Sequence, residues 1–228
     1  MCGIFGITSS KNVSNQLYQG LKKLEYRGYD SSGISGHSPT SKLQTIKAIG
    51  PIKNLKNKLS KLAGITCGIA HTRWATHGEP TLKNTHPHIS EKLCVVHNGI
   101  IENHTELRTF LKRKNYAFKS DTDTEVIPHL LNWNYKKLKN MDSALIATCR
   151  MLEGSYAIGA MSSDHENTLF TACKGSPLII GLGTSHNFIA SDISPILMDT
   201  DRYMIMSDDE FAIISPTQAT IFDKIKKL

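Results

Sequence analysis

The second residue of the chain, Cys2, carries two groups that could perform nucleophilic catalysis. A small side chain at position two generally permits removal of the initiator methionine, which would make Cys2 the first residue. A free α-amine and a thiol on one residue supply a base and a nucleophile, and their ordinary pKa values, about 7.7–8.0 and about 8.5, allow proton exchange near neutral pH. The alternative is a small apolar residue at the start of a buried strand, a common place for free cysteine.

The run HTRWATHGEP at positions 71–80 has no amphipathic pattern and favours a ligand-binding loop. Gly78 and Pro80 are suited to shaping such a loop. The guanidinium of Arg73 fits a carboxylate through two hydrogen bonds, so Arg73 is a candidate clamp for the α-carboxylate of an amino acid. A structural ion pair is the alternative role.

Two further segments supply groups that complement these. Asn98 and Gly99 follow the apolar stretch 93–96, where Asn-Gly usually indicates a turn. A side-chain amide beside a backbone N–H also forms a donor pair, and each such donor stabilises a tetrahedral oxyanion by roughly 3–4 kcal/mol.

Asp123, in the segment SDTDTE at 120–125, could receive the ammonium group of an amino acid that Arg73 holds. Its alternative role is an acidic helix cap favoured by the helix dipole.

Several histidines raise the question of a metal site. They show neither the HExxH pattern nor Cys/His ligand spacing, so we expect no metal. Within His86-Pro87-His88, hydrogen bonds that brace the loop are the expected role. The histidines in question are His71, His77, His86, His88 and His97.

The length of 228 residues and the overall composition are those of one globular domain. The net charge is +7, but the basic residues lie in small separated groups without interleaved aromatics, so we expect no nucleic-acid partner. Five cysteines without a CxxC pair argue against a disulfide framework and a zinc ribbon, and favour the reducing cytoplasm. No apolar run approaches the roughly 18 residues that span a bilayer, so no membrane contact is expected.

Hydrophobic periodicity predicts many short strands and several helices. Since the strands outnumber the helices without strict alternation, the pattern predicts a layered α+β or α/β domain. Asn12 is a predicted N-cap for the first helix, and Asn103 with Glu106 resembles a capping box. The predicted strands are 2–8, 66–70, 93–97, 156–161, 168–172, 178–181 and 188–190, and the other predicted helices are 51–62, 104–114, 123–133 and 142–152.

Motifs along the whole chain resemble those of the class II, N-terminal-nucleophile glutamine amidotransferases. The loop 71–80 and the run EYRGYDS are the most specific, and they resemble the sugar-phosphate branch of that family. The matching segments are 1–4 (MCGI), 24–31 (LEYRGYDS), 71–80, 96–103 (VHNGIIEN), 121–125 (DTDTE), 175–178 (GSPL) and 190–192 (ASD).

The resemblance implies one glutamine amidotransferase type 2 domain over residues 1–228, with an α+β fold that is a four-layer αββα sandwich of the N-terminal-nucleophile hydrolase type. It implies hydrolysis of L-glutamine to L-glutamate and ammonia without a cofactor, the ammonia serving glucosamine-6-phosphate synthesis from fructose 6-phosphate. By position, Cys2 is the nucleophile and base, Asn98 and Gly99 form the oxyanion hole, and Arg27 orders the site. The implied substrate-binding residues are Arg73, Trp74, Thr76, His77, His86 and Asp123, with Trp74 in a loop that closes over substrate and gates ammonia passage.

The chain departs from the family pattern at two places. Ser32 stands where the family more often has Ala or Gly, and one hydroxyl should have little effect. Family members of this branch continue into two sugar-isomerase domains beyond a glutaminase half. We therefore expect sugar-isomerase domains as partners, in cis or on a separate chain, and the resemblance also allows a homodimer.

Two other functions fit part of the pattern. An amidotransferase domain of another branch, such as an amidophosphoribosyltransferase or an asparagine synthase, would share Cys2 and the pair Asn98-Gly99, but should lack the sequence TRWATH at 72–77. A glutamine-binding regulator without catalysis would have no use for a free thiol at residue two.

Overall fold

The computed structural model describes residues 2–38, 41–74 and 78–223. Four α-helices, three 3-10 helices and thirteen strands form within these residues. In chain order they are β1 (Gly3–Ser9), α1 (Ser14–Lys23), a 3-10 helix (Glu25–Arg27), β2 (Ser31–Ser38), β3 (Ser41–Ile49), a 3-10 helix (Ile52–Leu62), β4 (Cys67–Arg73), β5 (His88–Ser90), β6 (Leu93–Ile101), α2 (His104–Lys112), a 3-10 helix (Asp123–Glu125), α3 (Val126–Leu138), α4 (Met141–Met151), β7 (Gly154–Ser162), β8 (Leu169–Lys174), β9 (Ile179–Leu182), β10 (His186–Ala190), β11 (Tyr203–Ile205), β12 (Glu210–Ile214) and β13 (Ala219–Asp223).

The strands form two antiparallel sheets. The first has seven strands in the spatial order β11-β9-β10-β1-β4-β2-β3, and the second has six in the order β13-β12-β8-β7-β6-β5. Strand β1 lies between β4 and β10, with Gly3 opposite Thr72. This register brings Cys2 to the end of β4, where the loop after Arg73 begins.

Three hydrophobic clusters show that the sheets and helices form four layers. One cluster joins side chains of both sheets, including Ile4, Ile69 and Val96, and so lies between the sheets. A second joins α1 and the 52–62 helix to the outer face of the first sheet, and the third joins α2, α3 and α4 to the second sheet. The predicted αββα sandwich is therefore confirmed. No helix in the described residues is long and apolar enough to cross a membrane.

Most predicted elements form within a few residues of their expected bounds, but both helix-cap predictions need correction. Asn103 precedes α2 without a side-chain cap bond, since its amide oxygen accepts from Glu153 N at 3.2 Å and its amide nitrogen donates to Met151 O at 2.9 Å. The capping box is thus wrong, because Asn103 ties α2 to the end of α4 instead. At α1 the cap residue is Val13, while the Asn12 side chain accepts from Ser14 N at 3.1 Å.

Candidate active site

Two adjoining cavities meet at the N-terminal end of β1. The larger has a volume of about 330 Å³ and the smaller about 30 Å³, and Cys2, Trp74 and Gly99 line both. The smaller cavity is therefore only large enough for roughly one water molecule. Residues from β4, β6 and the 123–125 helix surround it, so segments far apart in sequence converge on Cys2.

The thiol of Cys2 is half-buried against the first residue after β4. The Trp74 backbone N–H donates to Cys2 Sγ at 3.4 Å. Burial raises the pKa of the Cys2 thiol, while the Trp74 hydrogen bond and the charge of Arg73 act in the opposite direction. A base close to the thiol would therefore be needed to form the thiolate near neutral pH.

Asn98 and Gly99 lie within β6, so the turn suggested by Asn-Gly is wrong. The strand continues to Ile101, with Gly99 opposite Tyr156. Gly99 has φ +128°, and a Cβ there would lie 2.1 Å from Ser155 O. A side chain at position 99 is therefore excluded by both backbone conformation and space. The Asn98 amide nitrogen donates to Cys2 O at 3.0 Å, which brings this amide beside the nucleophile candidate.

Arg27 contacts the same backbone carbonyl of Cys2 as Asn98 does. Its Nε donates to Cys2 O at 3.2 Å, and its terminal nitrogen lies 3.2 Å from the carboxylate of Asp192. Tyr26 donates to the same carboxylate oxygen at 2.6 Å. Burial acts to raise the pKa of Asp192, but hydrogen bonds from Tyr26 and Ser194 and the charge of Arg27 lower it on balance. An ionised Asp192 thus holds Arg27 against Cys2.

Arg73 and Asp123 place opposite charges at the smaller cavity, which both residues line. The buried guanidinium of Arg73 donates to Gly78 O at 2.9 Å and to Glu79 O at 3.2 Å, so Arg73 also holds the backbone at positions 78 and 79. One carboxylate oxygen of Asp123 accepts from Ile101 N at 2.8 Å. Asp123 thus connects the 123–125 helix to β6, rather than serving only as a cap for its own helix.

A cluster of buried histidines lies behind these residues. The rings of His71 and His86 are 4.0 Å apart, and those of His86 and His88 are 4.8 Å apart. Burial lowers the pKa of His71 to about 3, and burial together with the neighbouring positive groups lowers the pKa of His86 and His88 as well. The Nδ1 atom of His97 lies within hydrogen-bond distance of Thr124 Oγ1, 2.9 Å away. No cluster of three or more His, Cys, Asp or Glu side chains in the described residues could hold a metal ion.

This cluster makes the stability of the domain sensitive to acid. Below pH 6.5 histidines become protonated in the unfolded chain, whereas His71 stays neutral in the folded protein, so the free energy of unfolding should fall as the pH falls. Each histidine that stays neutral contributes a loss of about 2 kcal/mol between pH 7 and pH 5. Urea unfolding at the two pH values measures this loss. In the His71→Gln variant the difference should shrink by about 2 kcal/mol; an unchanged difference would contradict the assignment.

The structure brings most of the predicted site residues together. Trp74 lines both cavities, with 44% of its surface exposed and its ring 5.6 Å from that of Tyr29. Thr76 and His77 lie outside the described residues. The predicted residues that line one or both cavities are Cys2, Arg27, Arg73, Trp74, His86, Asn98, Gly99 and Asp123.

Other residues of the site were not predicted from the sequence. Asp192 and Tyr26 belong to matched motifs, but nothing in their types indicated that they pair with Arg27. Ser176 and Pro177 line the larger cavity and also belong to a matched motif. Ser155 lines it without any sequence signal, because it is a small polar residue near the start of β7.

The profile of the family described as glutamine amidotransferase domain matches residues 71–198. The chain belongs to this family. The predicted membership of the glutamine amidotransferases is therefore confirmed, and the matched range includes Arg73, Asn98, Gly99 and Asp123. Cys2 lies before the matched range.

Curated relatives of this amidotransferase domain are longer than the chain. The chain is 45% identical over 227 residues to glutamine–fructose-6-phosphate aminotransferase [isomerizing] of Buchnera aphidicola subsp. Acyrthosiphon pisum, and the alignment covers 98% of this chain and 37% of that protein. It is 46% identical over 226 residues to the protein of the same name from Escherichia coli strain K12, again covering 98% and 37%. The chain thus spans about 37% of the length of these relatives.

Solved structures share the fold of this amidotransferase domain. Glutamine phosphoribosylpyrophosphate amidotransferase from B. subtilis, complexed with ADP and GMP, superposes with a TM-score of 0.85 at 26% identity, covering 100% of this chain and 50% of that one. A glutamine aminotransferase class-II domain protein from Silicibacter pomeroyi has a TM-score of 0.68 at 12% identity, covering 97% and 99%, and shows the fold alone.

Proposed function

We propose that this domain hydrolyses L-glutamine to L-glutamate and ammonia, with Cys2 as nucleophile. The observation that supports this most directly is the convergence on Cys2 of a cation, an anion and an amide donor, from Arg73, Asp123 and Asn98. A free amino acid needs the first two for its α-carboxylate and α-ammonium, and an amide undergoing acyl transfer needs the third. The test is glutamate formation by purified protein whose intact mass shows Cys2 as the first residue.

In the proposed reaction the α-amine of Cys2 removes the thiol proton, directly or through a water molecule. The thiolate then attacks the side-chain carbonyl carbon of glutamine, and the carbonyl oxygen takes the negative charge. The amide of Asn98 and the backbone N–H of Gly99 would donate to this oxyanion. The ammonium of Cys2 returns its proton to the leaving nitrogen, ammonia departs, and water hydrolyses the thioester to glutamate.

The binding half of the proposal assigns the α-carboxylate to Arg73 and the α-ammonium to Asp123. Because the smaller cavity has a volume of about 30 Å³, part of its lining must move to admit these groups. Trp74, which lines both cavities and is 44% exposed, is the lining residue best suited to that movement. Thr76, His77 and His86 would complete the contacts with the substrate, and Trp74 would close over it.

Variants of Arg73 and Asp123 should therefore weaken binding more than turnover. We expect Arg73→Ala to raise the KM for glutamine about 10- to 100-fold, as loss of a charged hydrogen-bonding group does. Asp123→Asn keeps an oxygen to accept from Ile101 N but loses the charge, and should also raise KM. Steady-state kinetics of both measure this. Equal losses of kcat at unchanged KM would show that the binding roles are wrong.

We further propose that the ammonia serves glucosamine-6-phosphate synthesis from fructose 6-phosphate. This rests on the relatives named glutamine–fructose-6-phosphate aminotransferase, of which the chain spans 37%. Sugar-isomerase domains, in cis or on a separate chain, would be the partners that use the ammonia, and a homodimer is compatible with this arrangement. Glucosamine 6-phosphate formation from glutamine and fructose 6-phosphate, in the presence of such domains, is the test.

A further inference from the structure

The orientation of the Asn98 amide follows from its two neighbours. Its nitrogen lies 3.0 Å from Cys2 O, a backbone carbonyl that can only accept. Its oxygen lies 3.1 Å from Nε2 of His71. A flipped amide would place two acceptor oxygens 3.0 Å apart at Cys2, so the nitrogen must face the nucleophile and the oxygen must face His71.

The same reasoning fixes the proton of His71. Its Nε2 lies 3.0 Å from the backbone carbonyl of His97 and 3.1 Å from the Asn98 oxygen. Both neighbours are acceptors, so this nitrogen must carry the hydrogen. Burial lowers the pKa of His71 to about 3, which leaves the ring neutral near pH 7 with one proton only. Nδ1 of His71 is therefore a lone pair.

His86 supplies the donor that this lone pair needs. Its Nδ1 lies 3.0 Å from Nδ1 of His71, and one of the two must carry a proton for a hydrogen bond to form. Since His71 carries its proton on Nε2, the donor is His86. Nε2 of His86 is then an acceptor, and it has no hydrogen-bond partner in the described residues.

The backbone holds both rings in this arrangement. His71 lies in β4 opposite Gly33 of β2, and a Cβ at Gly33 would lie 2.1 Å from His86 O. The absence of a side chain at position 33 thus lets the segment carrying His86 approach the sheet. His97, whose carbonyl accepts from His71, is itself held through its ring by Thr124 Oγ1 at 2.9 Å.

We propose that His71 is a positioning residue for the reaction: held in one neutral tautomer between the His97 carbonyl and His86, it fixes the Asn98 amide with its nitrogen toward the reacting carbonyl. One N–H of that nitrogen goes to Cys2 O, and the other remains for the oxyanion. If the amide flipped, an oxygen would face the developing negative charge. His71 contributes through Asn98 without touching substrate. The inference deepens the proposed glutamine hydrolysis and rests on it.

Kinetics of His71 and Asn98 variants test this role. His71→Phe keeps a ring but removes the donor, and we expect kcat to fall about 10- to 100-fold with KM changed less than about threefold. His71→Gln, which can place an amide N–H near the same position, should recover most of the loss. His37→Phe is the matched control, since His37 is also buried in the first sheet and its Nε2 has no partner in the described residues. It should retain the kcat of the unmodified protein.

A double variant separates positioning from general structural damage. If His71 acts through Asn98, kcat of His71→Phe/Asn98→Ala should match that of Asn98→Ala within about twofold. Losses that multiply in the double variant would overturn the proposal.

Nitrogen-15 NMR of histidine-labelled unmodified protein near pH 7 tests the tautomers without any substitution. We expect the proton on Nε2 of His71 and on Nδ1 of His86; a proton on Nδ1 of His71, or a charged ring, would overturn the proposal. This measurement decides even if His71→Phe does not fold. The measurement also separates the positioning role of His71 from the proposed glutamine hydrolysis. If the unmodified protein forms no glutamate, the proposed function is wrong, but the tautomers can still be observed.

Discussion

A form of the protein that retains Met1 should hydrolyse no detectable glutamine, because the base and the nucleophile of the proposed reaction belong to the same residue. With Met1 present, the nitrogen of Cys2 is an amide and can no longer accept the thiol proton. We expect a loss of at least about 10⁴-fold in kcat, the scale seen when a nucleophile or its base is removed. Cys2→Ala should lose as much. Intact mass and glutamate formation, measured on one sample, give the result.

A tagged protein provides its own control. With an N-terminal tag the protein should be inactive, and proteolytic removal that leaves Cys2 first should restore activity without any change in sequence elsewhere. Circular dichroism and the urea midpoint should be the same before and after cleavage. Full activity of a preparation that carries Met1 by mass would refute the role of the α-amine.

Alkylation of the native protein separates Cys2 from the other cysteines. Cys2 is half-buried and the other four are buried, and burial raises the pKa of Cys67, Cys94 and Cys173 to about 12. An electrophile such as iodoacetamide should therefore react first at Cys2, since only the thiolate reacts. One adduct per chain should coincide with complete loss of activity. Loss of activity without an adduct at Cys2 would place the nucleophile elsewhere.

The family resemblance predicted the four layers correctly, whereas hydrophobic periodicity predicted only a layered domain and missed strands that lack an apolar pattern. Strand β2 reads SSGISGHS, which contains one large apolar residue, yet all eight of its residues are buried between β3 and β4. Small residues are required there, because a Cβ at Gly36 would lie 2.8 Å from the backbone oxygen of Cys67. Such a strand is selected by tertiary packing, which periodicity cannot report. Ser32, in the same strand, is also small and buried, and its hydroxyl has no hydrogen-bond partner in the described residues.

In the candidate site, some residues could be predicted from the sequence, but the contacts that position them could not. Cys2, Arg73 and Asp123 could be proposed from residue type, because each carries a group that a free amino acid substrate needs. The contacts that hold them could not, since Arg27 pairs with Asp192 from 165 positions away and Asn98 reaches Cys2 across 96. The Asn-Gly pair shows the limit most clearly. Its local preference for a turn is overridden by pairing with β7, which continues to Ile101 opposite Gly154.

Replacement of Asn98 by alanine should reduce turnover far more than binding. The amide nitrogen lies beside Cys2, and in the proposed reaction its free N–H donates to charge that exists only in the tetrahedral intermediate and the transition states around it. Loss of one such donor costs about 10²- to 10³-fold in kcat. The KM should change little, because the ground-state carbonyl gains less from the donor than the oxyanion does. Steady-state kinetics and the equilibrium binding of glutamate measure the two parts separately.

Asn98→Asp provides the matched comparison, because it keeps the size and the oxygen but replaces the donor with an acceptor. A carboxylate there would repel both Cys2 O and the oxyanion, so its kcat should be at or below that of Asn98→Ala. The alkylation rate of Cys2 should stay within a few-fold in Asn98→Ala, since the thiol retains the hydrogen bond from Trp74 N. A large rise in KM at unchanged kcat would instead place Asn98 in ground-state binding, and the oxyanion role would then be wrong.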